Sequence, residues 1–141
     1  MRLVNLLRIT AVVTLLFAVG HTLGGRSSWS PAGETDTLRG MREFHMVVFG
    51  ASRTYHDFYL GFGYSLSVYM VLEAVLLWLL AGVAKTRPDL VRPFLAALFV
   101  ASVAGAVITW RFIFPIPAAI SLVVTALLGI AYYFASTADQ G

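Results

Sequence analysis

Four stretches of this chain each carry about twenty mostly apolar residues, the length a helix needs to cross a bilayer. They run from Leu3 to Leu23, Phe58 to Val83, Val91 to Trp110 and Phe112 to Phe134. In a chain of 141 residues they leave room for little else. Hydrophobic residues make up 59% and charged residues 12%, against roughly 25% charged in an ordinary soluble domain. A globule this small keeps much of its surface wet and could not hide so many apolar side chains. A soluble enzyme and a disordered chain are thereby excluded. The ten Lys and Arg are scattered rather than gathered into a stripe that could follow phosphates, so nucleic acid is not an expected partner. The sequence holds no Cys, which excludes disulfides, thiolate nucleophiles and Cys-based metal sites.

The runs predict an all-α fold, an integral membrane four-helix bundle running up and down as a single transmembrane domain over residues 1–141. The opening MRLVNLLR, the short apolar core ITAVVTLLF and the small residues Ala18-Val19-Gly20 have the outline of a signal peptide. The segment is read instead as the first spanning helix. Basic residues divide evenly between the two sides. The dense Lys85, Arg87 and Arg92 group favours an N-in, C-in arrangement in a bacterial inner membrane. Thr54-x-x-Asp57 and Thr86-x-x-Asp89 read as capping boxes before the second and third runs. Pro93 is expected to end an interfacial turn or kink the start of the third helix, and Pro115 and Pro117 to open the fourth. Gly20 with Gly24, Ala101 with Gly105, and the pair Gly61 and Gly63 read as contact faces, because helices in lipid associate through close backbone approach.

The long connection between the first two runs is not a plain linker. After the turn-rich GGRSSWSPAGE, the stretch from Asp36 places Leu38, Met41, Phe44, Val48 and Phe49 at roughly helical spacing. This predicts a short amphipathic helix over a lid segment of about residues 34–50, lying at the interface or over the bundle mouth.

Chemistry is confined to few residues. Glu73 sits deep in VYMVLEAVLLWLL and must be paired, hydrogen-bonded or protonated, because an isolated carboxylate is costly in hydrocarbon. Arg8 could pair with it or snorkel to the headgroups; Asn5, Thr10 and Thr14 could bond it. At the other end of the helices gather His21, His45, Arg53, His56, Asp57, Tyr59, Tyr64, Trp110 and Arg111. Acid, base, cation and hydrogen-bond donors beside an apolar cavity are what a small-molecule site needs. Asp57, His56, His21 and Glu73 are the candidate catalytic residues, and Arg111, Tyr59, His45, Arg53, Tyr64 and Trp110 the candidate ligand contacts. No metal motif is present. No cofactor is expected, although haem held by His21 with His45 or His56 is a minor reading.

The motifs GHTLGG, from Gly20 to Gly25, and RTYHDFYLGFGYSLSVYMVLEAVLLW, from Arg53 to Trp78, resemble an uncharacterised family of small four-span bacterial membrane proteins. The resemblance implies a four-span fold and carries no activity. In outline the chain is also similar to DoxX-like membrane proteins and sterol-isomerase-like domains, a likeness of architecture alone.

Three functions are open at this point. The first is an intramembrane pocket for a small apolar or amphiphilic ligand of the lipid, quinone or isoprenoid class, with or without acid–base isomerase or cyclase chemistry. The second is a non-catalytic structural or accessory subunit, whose partners would be another membrane protein or further copies of itself. The third is proton-linked transport through Glu73.

Overall fold

The computed structural model describes residues 2–137. In chain order it has α1 (Arg2–Gly24), a 3-10 turn (Gly25–Ser27), α2 (Asp36–Glu43), β1 (His45–Val48), β2 (Ala51–Thr54), α3 (Tyr55–Val83), α4 (Pro88–Phe112) and α5 (Pro115–Thr137). Four of these helices are long and apolar enough to cross a membrane. The architecture is all-α and bundle-like, with one small hairpin added. The chain divides into two compact units, Met1–Leu15 with Leu72–Gly141, and Leu16–Val71.

The first unit is held by one apolar core. Leu3, Val4, Leu7 and Ala11 of α1 recur at three- and four-residue spacing, as do Leu77 and Ala81 of α3, followed by Ala84. Val91 and Leu95 of α4 and Val124, Leu128, Ala131 and Ala135 of α5 complete it. Leu7, Leu77, Leu95 and Leu128 are fully buried, and alanines one turn from Leu7, Leu77 and Leu128 let the backbones close around them. The two-residue link Ile113-Phe114 folds α5 back along α4. Midway, the hydroxyls of Ser102 and Thr125 meet at 2.7 Å, and Gly129 leaves room for the Phe99 ring.

The helix starts follow local chemistry, with one exception. The Thr54–Asp57 box forms in full: Thr54 N donates to Asp57 Oδ2 at 2.8 Å and Asp57 N donates to Thr54 Oγ1 at 3.1 Å. Pro115 and Pro117 lie in the first turn of α5, and Pro93 lies inside α4. The expected Thr86–Asp89 box does not form. α4 begins with Pro88 behind Arg87, which makes no side-chain cap. Arg87 takes both Asp89 oxygens, Nε at 3.0 Å and a terminal nitrogen at 2.7 Å.

The second unit corrects the lid reading. The amphipathic helix exists, but it covers only Asp36–Glu43, capped by Thr35, whose Oγ1 accepts from Leu38 N at 3.1 Å. Residues expected to continue it form an antiparallel hairpin, with Val48 opposite Ala51 and His45 opposite Thr54. The reason is the loop. Phe49 and Gly50 both have positive φ, 50° and 82°, the pairing of the tight two-residue turn whose twist matches the strands. β-branched Val47 and Val48 favour the extended backbone on one side of it. The Phe44 and Tyr55 rings stack at 5.6 Å across the hairpin's open end.

The small-residue pairs also differ from expectation. A Cβ at Gly20, Gly61 or Gly105 would meet nothing within 4 Å, and at Gly24 or Gly63 it would meet Trp29. Gly24 and Gly63 thus admit a side chain from the loop rather than a neighbouring helix.

Candidate functional site

Most of the predicted polar residues fall in the second unit, where they form three local groups. The first is built around Trp29, whose part in the site was not legible from the loop composition. Its backbone N donates to Gly24 O at 2.9 Å and its indole Nε1 donates to His21 O at 2.7 Å. The ring lies against Gly24 and Gly63, where any side chain would overlap it. His21 is 5.1 Å from the indole, and Tyr59 and Tyr64 meet it edge-on at 5.7 and 5.2 Å. The available signal was a lone Trp between two glycine-bearing segments, GHTLGG and LGFG.

His21 faces Ser67, with Nδ1 2.9 Å from Oγ. Ser67 in turn contacts Gly63 O at 3.5 Å. If the serine proton goes to that carbonyl, His21 donates through Nδ1 and keeps Nε2 as a free acceptor.

The second group joins the loop and α2 to the start of α3. Arg42 donates through Nε to His56 Nε2 at 3.4 Å and pairs with Glu34 at 2.7 Å. A guanidinium can only donate, so His56 Nε2 is the acceptor. Ser28 therefore donates its hydroxyl to the same nitrogen, at 2.9 Å. Ser28 is buried and left-handed, with φ 52°. A serine beside an accepting imidazole is the outline of a nucleophile and its base. The nearby backbone donors are spent, however: Ser28 N bonds Gly25 O and Trp29 N bonds Gly24 O. With no free donor for an oxyanion in that turn, the pair serves to anchor the loop.

The third group is a groove of about 300 Å3 along the start of α3, lined by Arg53, Asp57, Phe58, Gly61, Phe62 and Ser65. Arg53 and Asp57 form its charged end, and the two phenylalanines, one helical turn apart, form its apolar wall. Asp57 keeps Oδ1 clear of the cap bond, which uses Oδ2. His45 stands apart on β1, exposed, with Nδ1 3.5 Å from Ser52 Oγ.

The other predicted residues lie in the first unit. Arg111 lies with its guanidinium 5.4 Å from the Phe112 ring centre, and Trp110 is exposed. Arg8 stacks over Trp78 at 5.4 Å. Among the described residues Glu73 has neither a hydrogen bond nor an ion pair. Of its suggested partners, Thr10 Oγ1 donates to Leu6 O at 2.9 Å, while the buried Thr14 hydroxyl has no partner among the described residues. No three His, Asp or Glu among the described residues gather as a metal site. Compared with known family models, curated proteins and solved structures, the chain matches none.

Proposed function

We propose that this chain is a multi-pass protein of a bacterial inner membrane, N-in and C-in, that holds a small amphiphile of the lipid, quinone or isoprenoid class at the start of α3. The groove lined by Arg53, Asp57, Phe58 and Phe62 carries this reading. Its charged end suits a head with anionic and donor groups, and its phenylalanine wall suits a chain or ring. A mostly apolar site with a few fixed polar groups is the usual make-up of a small-molecule pocket. Arg53 would hold the anionic part as a charge-assisted donor. Asp57, already oriented by its cap bond, would accept from the head through its second oxygen.

Native mass spectrometry of detergent-purified protein tests this. The Arg53→Ala/Phe62→Ala variant is expected to retain co-purified amphiphile about tenfold less well, the equivalent of roughly 1.4 kcal/mol. An unchanged melting temperature of the double variant in the same detergent guards against reading lost folding as lost binding. Full retention in the double variant would remove the groove from consideration.

A second reading has one observation in its favour. Glu73, within a helix long enough to span a membrane, makes neither an ion pair nor a hydrogen bond among the described residues. Carboxyls so placed in membranes serve proton relays. Proton flux into vesicles should then fall at least about tenfold in Glu73→Gln; equal flux in both proteins would end this reading.

A further inference from the structure

The hairpin between α2 and α3 has polarity along its length. Its tip half, from Val47 to Ser52, bears no charge. There Phe49 is fully exposed and Val47 is 76% exposed. The base half holds the one cation, Arg53 opposite Met46, with the polar His45 opposite Thr54. No acidic residue occurs between Phe44 and Tyr55. β2 then enters α3 without a linker, since Thr54 is already part of the cap of that helix.

Phe49 adds a second observation. It occupies the left-handed region at φ 50°, which disfavours a bulky L-residue relative to Gly or Asn. The ring gives no packing in return, because it is fully exposed. An unfavourable backbone here presents an aromatic side chain outward.

From this gradient we infer that the hairpin tip dips into the bilayer surface, with Phe49 and Val47 among the upper acyl chains and Arg53 at the phosphates. Two residue pairs lie between the tip and the pair that holds Arg53, so the tip is three residue steps away, about 10 Å at strand rise. Interfacial elements bury their apolar parts about 5–10 Å below the headgroups. A neutral apolar end backed by the Arg53 guanidinium matches the order acyl chain, then phosphate, better than it matches a protein surface, which would also offer cations to the tip. The inference rests on the membrane reading above and extends it to a segment outside the spans.

The Cys-free sequence makes the test direct. Single-cysteine variants Phe49→Cys, Val47→Cys, Asp36→Cys on α2 and Leu72→Cys in mid-α3 are labelled with a polarity-sensitive thiol fluorophore. Each is placed in vesicles of phosphatidylcholine and phosphatidylglycerol carrying a spin-label quencher, either near the headgroup end or deep in the acyl chain. The labels at 49 and 47 are expected to be blue-shifted and quenched by the shallow spin label about twofold or more beyond the label at 36. The label at 72 should respond to the deep one. Labels at 49 and 47 as wet and unquenched as that at 36, with 72 quenched, would overturn the dipping hairpin and leave the membrane reading intact. Lack of quenching at 72 as well would overturn both. A label at 49 that is blue-shifted yet unquenched, and responds to dilution with unlabelled protein, would place a second copy on the tip and overturn the inference too.

Discussion

Gly63→Ala is expected to destabilise the second unit by about 1–3 kcal/mol, whereas Gly61→Ala, two residues earlier in the same helix, should stabilise it by up to about 1 kcal/mol. The difference lies in what each new methyl group meets. At Gly61 nothing lies within 4 Å, so alanine only improves helix propensity. At Gly63 the methyl would overlap the Trp29 ring, with Cζ2 at 2.8 Å and two further ring carbons closer still. The indole cannot slide aside, because Nε1 is held by His21 O, the ring borders Gly24, and both tyrosines bear on it. Displacing it exposes the ring and leaves the His21 carbonyl without that donor. Trp29→Ala should cost a similar amount. With the indole gone the methyl at 63 has no clash, so the double variant should cost little more than Trp29→Ala alone. Thermal melting in detergent, followed by far-ultraviolet circular dichroism, reads all four proteins. Additive losses would mean that Gly63 and Trp29 do not share this contact.

What the sequence disclosed of the fold and the site follows the range of the interactions involved. The four spans were legible because twenty-residue apolar runs have one meaning. The Thr54–Asp57 box was legible because its partners are three residues apart. The same pattern at Thr86 failed because the neighbouring Arg87 competes for Asp89 at shorter range than the backbone cap. In the lid segment, the spacing of Phe44, Val48 and Phe49 suits a helix, but the Phe49-Gly50 turn prevails. A turn with two positive φ values is usually signalled by Asn-Gly or Asp-Gly, and phenylalanine conceals it. Trp29 was illegible for another reason. Its partners His21, Tyr59, Gly63 and Tyr64 are brought to it only by tertiary folding, and the glycines that admit it also look like helix-packing motifs. Of the candidate groups, Arg53 and Asp57 were anticipated together, whereas Arg42 and Ser28, which hold His56, carry no signature at their spacing.

In the first unit the apolar character of α3, α4 and α5 cannot by itself decide which face turns inward, since Leu79 and Phe94 are as apolar as the buried Leu77 and Leu95. If the exterior lies in lipid, inside and outside are equally oily, and the core is selected by fit between side chains rather than by escape from water. Leucines 7, 77, 95 and 128, fully buried with alanines nearby, have that fit. Leu128→Ala is therefore expected to cost about 2–5 kcal/mol, since the cavity it leaves is lined by side chains that cannot close over it. Leu79→Ala, on a 60% exposed side chain, should change stability in bilayers by less than about 0.5 kcal/mol, because lipid fills the space the lost methyls vacate. Unfolding in bicelles by a denaturing detergent measures both. Equal costs at the two positions would show that exterior packing matters as much as the core, and would point to a further protein surface covering the face that carries Leu79.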